Sequence, residues 1–123
     1  MPHRILVVDD DADVRDMVCR TLTASGYEAI PASGGRQALE RLERDPPDLV
    51  ITDVVMPEVD GFAVLLKLRL AAPGVGALVM SGQGRIEPEV FLDMSRRLGA
   101  RSILRKPFTR AEMLRAVEQA LNP

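Results

Sequence analysis

Asp9, Asp10, Asp53, Ser81 and Lys106 have one thing in common. Each follows a short run dominated by Val, Ile, Leu or Met: Ile5–Val8, Leu49–Thr52, Ala77–Met80 and Ile103–Arg105. If those runs are neighbouring parallel strands, three carboxylates, a hydroxyl and an ammonium converge on one edge of a sheet. That is where open α/β folds bind ligands. The set has a definite chemistry. Unit charges about 4 Å apart interact by about 4 kcal/mol at an effective dielectric near 20, so clustered carboxylates call for a cation among them. All-oxygen ligands select a hard ion, and a site with few protein ligands plus water suits Mg²⁺. A cation, a lysine and a hydroxyl around one carboxylate form a receptor for a phosphoryl group. A carboxylate so placed is a nucleophile able to form an aspartyl phosphate.

The elements that must position these groups are legible as alternating patterns. The apolar runs do not alternate with polar residues, so they suit strands buried on both faces of a parallel sheet. Tyr27–Pro31 is more mixed and reads as an edge strand, with Pro31 tolerable at its end. Between the strands lie apolar stripes at helical spacing: Val14, Met17, Val18, Thr21 and Leu22; Ala38, Leu39 and Leu42; Phe62, Leu65 and Leu66; Val90, Phe91, Met94 and Leu98; Met113, Leu114, Val117 and Leu121. Asp11 is placed to N-cap the first helix. Thr109-Arg110-Ala111-Glu112 is a capping box for the last. Gly26 and Gly99 stand where helices one and four should stop. Five strand–helix units predict a doubly covered parallel sheet with right-handed crossovers.

Composition bounds the alternatives. The 123 residues are 46% hydrophobic and 28% charged, an ordinary globular balance that excludes a disordered or collagen-like chain. A single domain over 1–123 is expected, with no linker or repeat dividing it. One cysteine, Cys19, permits no internal disulfide and fits a reducing cytosol. Cys19 falls off the first stripe and reads as a surface thiol. No apolar run reaches the length of a membrane span, and nothing at the N-terminus resembles a signal peptide. A net charge of −2 argues against direct nucleic-acid binding. Its distribution is uneven: residues 1–60 carry 13 acids and 6 bases, residues 85–123 carry 5 acids and 8 bases. The last third therefore offers a basic surface, which reads either as a partner face or as a solvated one.

Two other readings of the acids fail on position. Asp9, Asp11 and Asp13 imitate the start of a calcium loop, but Val14 stands where glycine is needed and Arg20 where glutamate is needed. The same spacing imitates the opening of a haloacid-dehalogenase-type phosphatase, where Asp13 is the wrong residue and the chain is short. Asp11 and Asp13 are better read as cap and surface charge. His3 has no partner at ligand spacing, and the six methionines are scattered core filler.

Taken jointly and in order, Ile5-Leu6-Val7-Val8-Asp9-Asp10, Asp53-Val54-Val55-Met56-Pro57 with Asp60-Gly61, Ser81-Gly82 and Lys106-Pro107-Phe108 resemble a response-regulator receiver domain over the whole chain. The resemblance implies a flavodoxin-like (βα)5 fold, a three-layer sandwich on a five-stranded parallel sheet of order 2-1-3-4-5. It implies Asp53 as phosphoacceptor. It implies Mg²⁺ held by Asp10 directly, by Asp9 mainly through water, by Asp53 and by the backbone carbonyl of Val55. Ser81 and Lys106 would contact the phosphoryl group, and the Lys106-Pro107 bond is often cis in such proteins. The donor would be a phosphohistidine on a sensor histidine kinase. The activity would be that of a switch rather than an enzyme, with only self-phosphorylation from a donor and slow autodephosphorylation.

One position departs from the pattern. Three residues before the lysine, where receivers often carry Tyr or Phe, stands Ile103. The usual aromatic readout is thereby in question. The switch would instead run through Ser81 and the loop Gly82–Pro88 to a partner face over the fourth helix, the fifth strand and the fifth helix. That face carries Arg96, Arg97, Arg101, Arg105, Arg110 and Arg115. Three outputs are open from sequence: docking a protein target, passing the phosphoryl group to a histidine phosphotransfer protein, or acting as an unphosphorylated scaffold.

Overall fold

In a computed structural model, residues 2–53, 61–81 and 88–122 are described, with ten elements in strict alternation. They are β1 (Arg4–Val8), α1 (Ala12–Ala24), β2 (Glu28–Ala32), α2 (Gly35–Arg44), β3 (Leu49–Asp53), α3 (Gly61–Ala71), β4 (Gly76–Ser81), α4 (Pro88–Arg97), β5 (Ser102–Arg105) and α5 (Arg110–Leu121). All strand pairs are parallel, as the apolar runs implied, and the order is β2-β1-β3-β4-β5, as the family resemblance implied.

Why the central strands read as unbroken apolar runs is now visible. Odd and even residues both meet a core, on opposite faces. Ile5, Val7, Leu49, Ile51, Leu78 and Met80 pack with Val18 and Leu22 of α1 and with Met113 and Val117 of α5. Leu6, Val8, Val50 and Val79 pack with Ala38 and Leu42 of α2 and with Val64, Leu65 and Leu68 of α3. Every residue of β1 from Ile5 to Val8 is fully buried, and each such aliphatic side chain contributes about 1.5–3 kcal/mol. β2 is an edge strand and shifted from the expected Tyr27–Pro31 to Glu28–Ala32. Tyr27 lies just outside it and packs against the α1/α5 core.

Helix ends follow their local chemistry. Asp11 is the N-cap of α1, its carboxylate accepting from the amides of Asp13 and Val14. Gly26 and Gly99 adopt φ of 91° and 90°, a left-handed conformation that glycine enters without a Cβ penalty. Thr109 Oγ1 accepts from the Glu112 amide at 3.1 Å, and Glu112 Oε1 accepts from the Thr109 amide at 2.9 Å. The amide and hydroxyl of Thr109 hold the Glu112 carboxyl below its ordinary pKa. The glutamate half of this cap is therefore fully present above the ordinary carboxyl range and is lost as pH falls through the lowered value. Thr109→Ala is expected to cost about 1 kcal/mol in urea unfolding at neutral pH, and the difference should shrink in acid.

Four expectations about helix faces are corrected. Met17 is 42% exposed: the inward ridge of α1 is Val18 and Leu22, with Val14 beside it, and Met17 falls on its flank. Leu66 is 48% exposed, because α3 turns Val64, Leu65 and Leu68 to the sheet. Val90 and Met94 of α4 are exposed, while Ser95 is buried on the inner side. Cys19 is half-buried against the α1/α5 core rather than a surface thiol, and burial pushes its pKa up. The side chains of Phe62 and Phe91 lie outside the described residues.

Candidate phosphoacceptor site

Strand register sets the site. Val8 pairs with Thr52, so Asp9 leaves β1 level with Asp53 at the end of β3. Asp53 pairs with Met80 of β4, which places Ser81 one residue further along; Ser81 in turn pairs with Arg105 of β5, and Lys106 follows. The carboxyl ends of the three central strands and β5 thus deliver Asp9, Asp53, Ser81 and Lys106 to one edge. The expected convergence arises because parallel strands in register end together.

At the centre is a shared cation. Lys106 Nζ donates to Asp9 Oδ2 at 3.0 Å and to Asp53 Oδ2 at 2.6 Å. The two carboxylate oxygens are therefore no further apart than the sum of those distances. Asp9 is fully buried and Asp53 is 8% exposed. Burial raises the pKa of Asp9, and the Asp11 amide and Lys106 only partly offset it. For Lys106, burial works against the ammonium, but the hydrogen bonds to Asp53 and Asp9 outweigh it and raise its pKa. Lys106 is thus a firmly charged ammonium, and its two acceptors hold it at the mouth of the site.

Asp9 is fixed from several sides. Its Oδ1 accepts from the Asp11 amide at 2.9 Å, its amide donates to the Ala32 carbonyl at 3.2 Å, and its carbonyl accepts from Arg15 Nη1 at 2.8 Å. The role of Arg15 was not foreseen. It lies six residues away on α1, and no short motif signals such a contact. Thr52 Oγ1 donates to the Asp53 carbonyl at 2.8 Å, bracing the backbone beneath the Asp53 carboxylate. The Lys106-Pro107 peptide is cis.

The remaining expected residues stand as follows. Asp10 neighbours Asp9 but is exposed. Val55, with Met56, Pro57 and Asp60, lies outside the described residues, as do Gly82–Glu87 of the loop expected to carry the switch and the side chain of Ser81. Among the described residues no three acidic, histidine or cysteine side chains close on a common metal-sized point. The donor chemistry nonetheless fits Mg²⁺. Asp9, Asp10 and Asp53 offer only oxygen, and Mg²⁺ is commonly held by one or two carboxylates with water completing the shell. Ile103 is partly buried against the α2/α3 core, together with Leu98 and Ala100.

The profile of the response regulator receiver domain matches residues 5–118. The chain belongs to that family. A receiver of this family, the chemotaxis protein CheY of Bacillus subtilis, is 34% identical over 123 residues, covering 99% of this chain and all of that protein. The response regulator MprA of Mycolicibacterium vanbaalenii is 41% identical over 115 residues, 93% of this chain but 48% of MprA. The chain spans about half the length of the first curated relatives it matches. The crystallised receiver CheY4 of Vibrio cholerae superposes with a TM-score of 0.89 at 30% identity, over 98% of this chain and 100% of its own. Receiver domains are signalling switches rather than enzymes that turn over a substrate. Among the described residues no helix is long and apolar enough to cross a membrane.

Proposed function

We propose that this receiver is a phosphorylation-activated switch in which Asp53 takes a phosphoryl group from a phosphohistidine on a sensor kinase. The observation that carries the reading is the placement of Lys106 Nζ between the buried Asp9 and Asp53 carboxylates. An Asp53 oxygen attacks phosphorus, the phosphorus–nitrogen bond to the imidazole breaks, and the imidazole leaves with the bonding pair. Lys106, already charged, pairs with an oxygen of the arriving group without a proton having to move. Ser81, one step further along β4, donates to a second oxygen. Asp9, Asp10, Asp53 and the Val55 carbonyl are the groups that would hold Mg²⁺, which when bound neutralises charge on the phosphoryl oxygens. Asp10, which is exposed, would ligate the ion directly, and the buried Asp9 mainly through water.

The output follows from what Lys106 touches. It leads through Pro107 and Phe108 into the capped start of α5, so a change of partner at Asp53 reaches the basic face formed by α4, β5 and α5. With Ile103 in place of an aromatic, the signal runs through Ser81, the 82–88 loop and Lys106 to a cytoplasmic protein target that docks on this face partly by charge.

Intact mass after incubation with acetyl phosphate tests the reading. A single phosphoryl adduct is expected with Mg²⁺ and none in EDTA. An adduct formed equally in EDTA, or no adduct together with an unchanged amide spectrum on adding beryllofluoride and Mg²⁺, would remove it.

A further inference from the structure

Arg15 lies among acids and pairs with none of them. Asp9, Asp10, Asp11, Asp13 and Asp16 all stand within six residues of it. Asp11, four residues before it, has the spacing of a helical ion pair. The Asp11 carboxylate instead caps α1 through the amides of Asp13 and Val14. Among the described residues Arg15 forms no ion pair. Its half-buried side chain reaches back past the start of α1, and Nη1 donates to the Asp9 carbonyl at 2.8 Å. The direction is natural, because Cα–Cβ bonds in a helix tilt toward its N-terminus.

That carbonyl belongs to the peptide unit joining Asp9 to Asp10. A peptide is planar, so the atom that Arg15 holds sets the whole plane between the two acids. The Asp9 end is tied down independently, by its amide to the Ala32 carbonyl at 3.2 Å and by its carboxylate to the Asp11 amide at 2.9 Å and Lys106 Nζ at 3.0 Å. Asp10 has no such ties: it is exposed, and its side chain makes no hydrogen bond or ion pair among the described residues. How the chain leaves the fixed Asp9 for Asp10 therefore depends on the Arg15 bond. A hydrogen bond from a guanidinium is stronger than a neutral one, roughly twofold, so a single one suffices to hold the plane.

Mg²⁺ demands near-ideal octahedral geometry with oxygens at about 2.0–2.1 Å, whereas Ca²⁺ accepts irregular shells at about 2.3–2.6 Å. Turning the Asp9–Asp10 plane thus costs the smaller ion more. We infer that Arg15 is a positioning residue for the cation site: by pinning the Asp9 carbonyl it fixes the angle between Asp9 and Asp10 and so sets the preference of the site for a small octahedral ion. The inference rests on the proposed reading of Asp9, Asp10 and Asp53 as the groups that hold Mg²⁺.

Calorimetric titration of Arg15→Met with Mg²⁺ and, separately, with Ca²⁺, beside the unsubstituted chain, tests this. Methionine keeps an apolar stem and removes the donor. The fold loses one hydrogen bond at a half-buried position and is retained, which a thermal melt in EDTA checks. The Kd for Mg²⁺ is expected to rise about tenfold or more, the usual effect of removing a group that orients a metal ligand. The Kd for Ca²⁺ should rise by less than about threefold, since its shell adapts. Arg20→Met, exposed on the same helix, should change neither. The sign of the effect is diagnostic. If Arg15 acted through its charge, removing a cation beside the site would tighten both ions. Mg²⁺ binding that is unchanged or tighter in Arg15→Met overturns the inference and leaves the reading of the site intact. Equal weakening of both ions also overturns it, because that marks a general loosening of the turn. An unsubstituted chain that binds no Mg²⁺ at millimolar concentration removes the reading of the site and this inference with it.

Discussion

Asp53→Asn is expected to abolish the Mg²⁺-dependent phosphoryl adduct completely while leaving the fold intact. The amide nitrogen and oxygen of asparagine fill the same space, but neither is a nucleophile able to form the acyl phosphate. The structural cost is small for a stated reason. Lys106 loses the negative charge of its acceptor at 2.6 Å but keeps the other carboxylate, Asp9 Oδ2, at 3.0 Å. Asp9, which burial already makes less acidic and which Asp53 also disfavours as an anion, loses a neighbouring negative charge. The melting temperature in EDTA should therefore stay at or above that of the unsubstituted chain. Intact mass and a thermal melt on the same sample read both quantities. An adduct that persisted in the variant would move the acceptor to another carboxylate, with Asp9 and Asp10 the first to examine. A variant that lost both adduct and fold would leave Asp53 a structural residue.

The parts of this molecule that were legible in sequence share a physical cause. β1, β3 and β4 are buried on both faces, so their sequences carry no polar alternation to obscure them, and parallel register then dictates that Asp9, Asp53, Ser81 and Lys106 leave the sheet together. The capping residues Asp11 and Thr109 were equally plain, because a cap is a contact within three residues of sequence. What was not legible depends on tertiary angles. A helical stripe drawn four or five residues wide includes flank positions, and whether Met17, Leu66 or Met94 is covered is decided by how each helix lies on the sheet. Cys19 went the other way, drawn into the α1/α5 core from a flank. Arg15, Arg69 and Arg101 bond carbonyls through long side chains at no fixed spacing, so no pattern of residue types announces them. The three carboxylates expected to cluster also divide. Asp9 is buried and shares Lys106 with Asp53, whereas Asp10, next in sequence, points its charge to solvent exposure.

Lys106→Met should have the larger effect on stability and should separate phosphorylation from output. The methionine keeps the length and apolar stem of the lysine but removes the charge that pairs with both carboxylates. Breaking a fully buried ion pair costs about 3–5 kcal/mol. The Lys106 side chain is 21% exposed, so water screens part of the loss, and about 2–3 kcal/mol is expected in EDTA. For a domain of this size that corresponds to a fall of roughly 10 °C in melting temperature. Arg15 bonds the Asp9 carbonyl and not the carboxylate, so it does not already share the lysine's place between the two acids. Added Mg²⁺ should recover more stability in the variant than in the parent chain, because a divalent cation then supplies the missing charge between two acids. Lys106→Arg should not restore the parent behaviour, as a planar fork cannot reproduce one compact ammonium shared by two oxygens. The Asp53 carboxylate is untouched, so a Mg²⁺-dependent adduct should still form, more slowly. What should be missing is the response beyond it: amide shifts in β5 and at the start of α5 on phosphorylation, which on the proposed reading pass through Lys106 toward Thr109. If Lys106→Met melted at the parent temperature in EDTA, the carboxylates would not need their shared cation. If it kept the β5 and α5 shifts in full, the signal would leave Asp53 by the β4 side alone.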